Sequence, residues 1–392
     1  MEKNNKNTIN IAITGCIHGH LSQLYTDLLE YQNKNNLNID LVLCTGDFEC
    51  MIKEDDLNYL NCPPKYKHMG DFHKYYEGIL PIPFLTIFIG GNHEASNILN
   101  DFFYGGYITE KIYYLGRCGI INYKGIIIGG ISGIYNKYDY LKGHYENNIN
   151  SKTKSIFHQR EFELAKISNF SKKIDIFMSH DWPYNIINKN DIKKICEIKP
   201  YWDDIENIGS IPNKFLLDLL KPKNWICGHM HFYYKNIMKF DNNEQTTIYC
   251  LDKCLKNRKY FEIITLNIQN NDDNIYIDNE WISISQIFNE IFPKYNSNYN
   301  FSDYINNSEI YLKYIIDTFP NYLKNEIKFG IQKQEFYGKL KQYKEKNKEN
   351  KKIERKVNQK EIINKIFNLY NNLFSINKKE NKNIEEINID FI

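Results

Sequence analysis

The nine cysteines include no CxxC pair, and nine is odd, so no CxxC redox or zinc motif is present and full pairing in disulfides is ruled out. No basic start is followed by an apolar run, so no secretory leader is expected. Nowhere does an apolar stretch approach the roughly 20 residues that a membrane helix takes. Nor does one charge dominate. The chain has 50 Lys and Arg against 48 Asp and Glu, a net +2, so it is not a polycation, and any contact with nucleic acid must come from a local basic surface. These absences point to a reduced setting, nuclear or cytosolic, in which a buried cysteine stays available as a thiolate. The 31 tyrosines and the many Asn, Lys and Ile carry little weight, because these residues share AT-rich codons.

What is present is order. At 392 residues the chain can build one large core and a second smaller unit. Apolar runs at residues 9–14, 41–44, 84–89, 174–178 and 225–227 read as short buried strands. Each leads into a short motif: Gly15-Cys16-Ile17-His18, Gly46-Asp47, Gly91-Asn92-His93-Glu94, Ser179-His180-Asp181 and Gly228-His229-Met230-His231. In α/β sheets the ligand site lies beyond the carboxyl ends of strands, so the five loops are expected on one rim. Residues 21–31 and 158–168 have helical apolar spacing. Residues 112–114, 120–123 and 126–130 read as strands, with a hairpin turn at Tyr123-Lys124-Gly125, and so do 246–250 and 260–268. Residues 132–155 are rich in Gly, Tyr, Asn and Lys with little periodicity, and a loop that long inside a domain is usually functional or disordered. Past residue 285 no metal-type motif occurs. There, 310–319 and 362–374 have helical spacing, and 339–360 is a lysine-rich, mixed-charge stretch read as a solvated helix or tail.

The motifs supply ligands of the kinds a two-metal phosphoesterase uses. Breaking a phosphodiester at neutral pH needs a hydroxide-like nucleophile, neutralised phosphoryl oxygens and a stabilised leaving alkoxide, and two cations roughly 3.5–4 Å apart serve all three. Asp47 is the natural bridge, since a carboxylate offers one oxygen to each cation. Cys16, His18 and His231 complete one pocket; Asn92, His180 and His229 complete the other. His93 adjoins Asn92 but points elsewhere in this scheme, as donor of a proton to the leaving oxygen or as a stabiliser of phosphoryl charge. Residues two apart project to one side of an extended loop, so His229 and His231 can reach adjacent cations, while Ile17 and Met230 face the core. A cysteine at position 16 favours Zn2+ or Fe2+ over Mg2+ or Mn2+. His20 is read as lying outside the ligand set. Each motif alone is weak, since Gly-Asp is a common turn and most histidines are not ligands; the weight lies in the ordered set.

These residues resemble the calcineurin-like metallophosphoesterases and, more narrowly, the RNA lariat debranching enzymes. The narrower likeness rests on Gly15-Cys16-Ile17-His18-Gly19, with cysteine where most of the superfamily has aspartate, and on longer phrases: PPKYKHM at 63–69, TIFIGGNHEAS at 86–96, GGISGIY at 129–135, DYLKGH at 139–144, DIFMSHDWP at 175–183 and LDKCL at 251–255. It runs from about residue 9 to 281 and thinly to 319; Gly228 and Met230 depart from the alanine and leucine common in relatives, without changing a ligand.

The resemblance implies an α/β fold, a β-sandwich flanked by helices with a smaller, mostly helical C-terminal region. The implied domains are a metallophosphoesterase domain at 1–257, carrying a lariat recognition loop at 132–162, a C-terminal domain at 258–330 and a lysine- and asparagine-rich tail at 331–392. It also implies hydrolysis of the 2′–5′ phosphodiester of branched intron RNA with two divalent cations (Fe2+, Zn2+ or Mn2+), in a nuclear monomer that meets post-splicing ribonucleoprotein and no membrane. Tyr135, Lys137, Tyr140, Lys142 and His144 are the implied substrate contacts, since aromatics stack on unpaired bases and lysines meet phosphates. The readings in competition are another metallophosphoesterase, acting on phosphoproteins or as a nuclease, and a non-catalytic RNA-binding scaffold.

Overall fold

The protein is described by a computed structural model over residues 7–146, 149–150, 152–200, 202, 208–241 and 243–289. In chain order its elements are β1 (Thr8–Thr14), α1 (Leu21–Asn35), β2 (Leu41–Cys44), α2 (Phe72–Tyr76), β3 (Thr86–Phe88), α3 (Ser96–Asp101), β4 (Gly106–Thr109), β5 (Ile112–Tyr114), β6 (Cys118–Tyr123) and β7 (Ile126–Ile131). They continue with α4 (Glu161–Ser168), β8 (Ile176–Ser179), α5 (Lys189–Ile198), α6 (Ile211–Leu220), β9 (Asn224–Cys227), β10 (Tyr234–Lys239), β11 (Gln245–Cys250), β12 (Phe261–Asn267), β13 (Ile275–Ile277) and α7 (Asn279–Asn289).

Two sheets result. One runs β12-β1-β2-β3-β5-β4, the other β10-β11-β9-β8-β7-β6-β13. The inner strands β1, β2, β3 and β5 are parallel, as are β7, β8, β9 and β11, while antiparallel strands close the edges. Strands of a parallel sheet are covered on both faces and therefore read as unbroken apolar runs. Leu41-Val42-Leu43-Cys44 is such a run, and all four residues are inaccessible. Helix α1 buries Leu21, Leu24, Tyr25 and Leu28, the i, i+3, i+4, i+7 stripe of a helix on a core, and ends at Asn36 in the left-handed conformation. Helix α6 starts where the Ser210 side chain accepts from Asn213 N–H, with Pro212 in its first turn.

This architecture corrects the single rim. The motifs after β1, β2 and β3 leave one sheet and those after β8 and β9 leave the other, so the five loops meet where two sheets face each other. The hairpin turn lies as expected between β6 and β7, with Lys124 and Gly125 at positive φ. The boundary expected at residue 257 falls inside the sandwich, because β12 pairs with β1 and β13 with β6. The expected helices at 310–319 and 362–374, the lysine-rich stretch and the whole tail lie outside the described residues. Among the described residues no helix is long and apolar enough to cross a membrane, and the nine cysteines are free thiols.

Candidate metal centre

The loops after β1, β2 and β9 bring ligand atoms of Cys16, His18, Asp47 and His231 within 4.8 Å of one another. His18 Nδ1 faces Glu49 Oε1 at 3.3 Å. Donating there turns its Nε2 toward His231 Nε2, 3.0 Å away, and Asp47 Oδ2, 3.5 Å away. Burial keeps both rings neutral: it lowers His18, and with His18 beside it pushes His231 down to about 2. Asp47 Oδ2 is buried and receives no hydrogen bond. Two imidazole nitrogens, a sulfur and an orphaned carboxylate oxygen around one point are a donor set that fits a divalent cation. Burial, then Asp47, push the Cys16 thiol well above its usual range, and the His229 N–H donated to Sγ at 3.1 Å pulls it back in part. A cation must displace that thiol proton to be held by sulfur.

The other oxygen of Asp47 opens a second pocket. His180 Nδ1 donates to the Thr45 carbonyl at 2.7 Å, which aims Nε2 at Asn92 Oδ1, 3.0 Å away, and at Asp47 Oδ1, 3.4 Å away. Burial works against a proton on His180, but Asp47 and then the Thr45 carbonyl outweigh it and push the ring up to about 9. A cation at Nε2 would take that proton's place. The His229 ring packs 4.9 Å from the His180 ring, with Nε2 3.5 Å from Asp181 Oδ1. Burial and then His180 push His229 down to about 3. Asp47 sits between the pockets; burial opposes its charge, but His180, His93 and His18 hold it well below the ordinary carboxylate range. All seven expected ligands are thus brought together.

His93 is placed differently. Its N–H donates to Asp47 Oδ1 at 2.8 Å and its Nδ1 donates to the Asn61 carbonyl at 2.6 Å, so Nε2 is the nitrogen left for chemistry. The ring lies 5.7 Å from that of His18.

The loops carry strain that regular structure would not tolerate. His18, Asp47, His229 and His231 have φ of 49°, 46°, 63° and 47°, a left-handed conformation costing on the order of 1–2 kcal/mol for a residue with a Cβ. The extended-loop picture of His-x-His and Cys-x-His is therefore wrong. Left-handed kinks, not alternation, aim the rings, and Met230 is half-buried where Ile17 is fully buried. Gly91 is required by close approach, since a Cβ there would lie 2.1 Å from Asp47 Oδ1.

The roles of three carboxylates escaped the sequence reading, although two of them, Glu94 and Asp181, stand inside its motifs. Glu94 accepts from Phe48 N–H, Glu49 N–H and Gly91 N–H at 2.8–2.9 Å and so locks the Asp47 loop to the Asn92 loop. Glu49 orients His18. Burial and then Asp47 push both up to about 8, and cations beside Asp47 would reverse the second cause. Asp181 accepts the Tyr135 N–H at 2.9 Å and joins the 132–162 loop to the centre. The available signal was local: Glu94 and Asp181 lie inside two of the motifs, and Glu49 lies two residues past Asp47.

In that loop Lys137 is exposed, with Nζ 5.0 Å from the ring centre of Tyr138, itself 61% exposed. Tyr135 is half-buried, and Lys142 pairs with Asp139 at 3.0 Å. Two of the expected substrate contacts are corrected. Tyr140 is 1% exposed, and the His144 side chain is 8% exposed, with Nε2 donating to Glu163 at 2.7 Å and Nδ1 accepting from Arg117 at 3.1 Å. Both are struts inside the loop's base, because a polar ring that far from water must spend its hydrogen bonds internally. Burial opposes the Glu163 charge, but His144, then Arg117 and Arg160, hold its carboxyl down at about 2. A depressed carboxyl stabilises the fold above its unfolded value and loses that contribution as pH falls through the folded one. Glu163→Gln is therefore expected to destabilise the protein by about 2–4 kcal/mol at pH 7 and to remove the part of the acid unfolding that lies between the two values. Urea titrations at pH 7 and pH 3 check both; equal stability of the two proteins at pH 7 would contradict it.

Against known proteins, the calcineurin-like phosphoesterase family model matches residues 9–233, more than half of the chain. The model for the lariat debranching enzyme C-terminal domain matches residues 243–379. The chain is 40% identical over 291 residues to the lariat debranching enzyme of Arabidopsis thaliana, covering 72% of this chain and 69% of that protein. It is 40% identical over 286 residues to that of Homo sapiens, covering 70% of this chain and 53% of that protein. It is 45% identical over 227 residues to that of Entamoeba histolytica, covering 57% of this chain and 64% of that protein. The chain thus spans about half to two-thirds of the length of these relatives. Two donor pockets built around one aspartate on this sandwich, and likeness that runs through both family models, leave one placement: the chain belongs to the lariat debranching enzymes within the calcineurin-like phosphoesterases.

Proposed function

We propose that the chain hydrolyses the 2′–5′ phosphodiester at the branch of excised intron RNA, leaving linear RNA with a 5′-phosphate and a free 2′-hydroxyl. The observation that carries this reading is the shared Asp47, with one oxygen toward His18 and the other toward His180, and a sulfur donor in the first pocket. Cys16, His18, His231 and Asp47 would hold one divalent cation, and Asn92, His180, His229 and Asp47 the other. Bound there, such cations acidify water, neutralise phosphoryl oxygens and steady a leaving alkoxide. The thiol favours Fe2+ or Zn2+ at the first position, with Mn2+ a weaker fit. The chain's own residues do the rest. Glu49 and the Thr45 carbonyl orient two of the ligand rings, Glu94 holds the loops in register, and His93 presents Nε2 to the leaving oxygen. We also propose that the chain acts as a monomer in the nucleus, where excised introns and post-splicing ribonucleoprotein would meet it.

The test is a branched RNA with one 2′–5′ linkage, set beside a linear 3′–5′ RNA of the same composition and a phosphopeptide. Cleavage of the branched RNA alone, abolished by an Fe2+/Zn2+ chelator and restored by adding back either ion, is the expected result. Equal cleavage of both RNAs would make the chain a general nuclease, and activity on the phosphopeptide alone would make it a phosphatase.

A further inference from the structure

A second group of side chains borders the first pocket and has no part in the chemistry above. Segment 252–259 is tied to the centre by its backbone, since Cys254 N–H donates to the Cys16 carbonyl at 2.8 Å. It is dense in positive charge, with Lys253, Lys256, Arg258 and Lys259. Arg258 Nη1 lies 3.5 Å from the His231 carbonyl and pairs with Asp252 at 3.0 Å. Lys253 N–H also uses Asp252, at 2.7 Å. Among the described residues neither Lys253 nor Lys199 has a carboxylate within ion-pair range. Phe232 follows His231 directly and is half-buried. It packs edge-on against Trp202, ring centres 5.6 Å apart, and Lys199 Nζ sits over both rings at 5.6 and 6.0 Å.

Of Lys199, Lys253 and Arg258, Arg258 alone has an ion-pair partner among the described residues, Asp252. Burial lowers Lys199 from its usual value; Asp252 restores part of this, and Arg258 and Lys253 lower it again. Gathering like charges beside a half-buried ring is unfavourable unless an anion is also held there. The place matters too. The 132–162 loop abuts the second pocket through Asp181, whereas this cluster abuts the first through the Cys16 and His231 carbonyls. A branch nucleotide carries three phosphodiester arms and a linear one carries two, so contacts on one flank alone cannot tell them apart.

Resting on the function proposed above, we infer that Lys199, Lys253, Arg258 and Phe232 form a second RNA subsite, which takes one arm of a branched substrate. The cations meet a backbone phosphate of that arm and Phe232, backed by Trp202, offers its face to a base. The subsite adds affinity for the third arm rather than speed at the scissile bond.

The experiment compares the metal-loaded protein with a Lys199→Gln/Lys253→Gln pair and with Phe232→Leu. Substrates are a three-armed branched RNA and a bare 2′–5′ dinucleotide, which has no third arm. On the three-armed RNA the double lysine variant is expected to lose about thirtyfold in kcat/KM, mostly through KM, and to show a salt dependence flatter by about 1.4 in the log–log slope. Phe232→Leu is expected to lose about tenfold with the salt slope retained. On the dinucleotide the losses should be at least about tenfold smaller. Equal losses on the two substrates, or wild-type efficiency on the three-armed RNA, overturn the subsite. Cleavage of neither RNA by the wild type, with three-armed RNA still bound through these lysines in an anisotropy titration, overturns the proposed hydrolysis and upholds the subsite. Metal content and the circular dichroism of each variant, matching the wild type, exclude a folding defect.

Discussion

Asp47→Asn is expected to lower turnover of any phosphodiester roughly a thousandfold or more and to drop bound metal from two ions per chain toward one or none. The size follows from geometry. Among the described residues Asp47 is the one that faces both pockets, with Oδ1 3.4 Å from His180 Nε2 and Oδ2 3.5 Å from His18 Nε2. An amide of the same shape keeps one oxygen but replaces the other with an N–H2 group, which repels a cation, and it removes the negative charge that both cations share. It also forces a choice, because Oδ1 already accepts the His93 N–H at 2.8 Å. An asparagine that keeps its oxygen there turns its nitrogen toward His18 and the Cys16 pocket. Metal analysis of the purified variant beside an assay with a nitrophenyl phosphodiester reads both consequences. Wild-type turnover with two ions bound would mean that the pockets do not share this ligand.

The sequence made the centre legible because its information is local. Each ligand follows a strand end, and a strand buried on both faces leaves an apolar run that needs no partner to be recognised, as in Leu41–Cys44. Elements that depend on distant partners were harder to see. Strand β10, in the order Tyr234-Lys235-Asn236-Ile237-Met238-Lys239, is an edge strand with alternating exposure, and only pairing with β11 makes it a strand. Helices α5 and α6 were also absent from the sequence reading, the first because only Ile195 is buried in it. Which sheet each motif leaves is a matter of long-range topology, so one rim was read where two sheets meet. The left-handed backbone at His18, Asp47, His229 and His231 was hidden as well, since none is a glycine. Burial misled in the 132–162 loop. Tyr140 and His144 have the chemistry of RNA contacts, but Glu163, Arg117 and the core claim them first. Acids that act on ligands rather than on substrate leave little signal of their role: Glu49 lies outside every motif and Glu94 inside one, and both roles emerge only when their oxygens are seen to meet an imidazole or three backbone N–H groups.

His93→Asn should separate chemistry from metal binding. The ring is anchored through Nδ1 at the Asn61 carbonyl and its backbone N–H at Asp47, and neither bond uses Nε2. Losing the ring therefore leaves both donor pockets whole. The expected result is a fall of about 10²–10⁴ in kcat on branched RNA with two ions still bound. The leaving group then tells which role His93 has. A 2′-alkoxide is a poor leaving group and needs a proton as the bond breaks, whereas nitrophenolate leaves without one. If Nε2 donates that proton, the substitution costs much less on a nitrophenyl diester than on branched RNA. If instead the ring neutralises charge on the phosphoryl oxygens, both substrates suffer alike, because that charge is present whichever group departs. Loss of both ions in the variant would show that the ring holds up the ligand loops, through its Nδ1 bond to the Asn61 carbonyl.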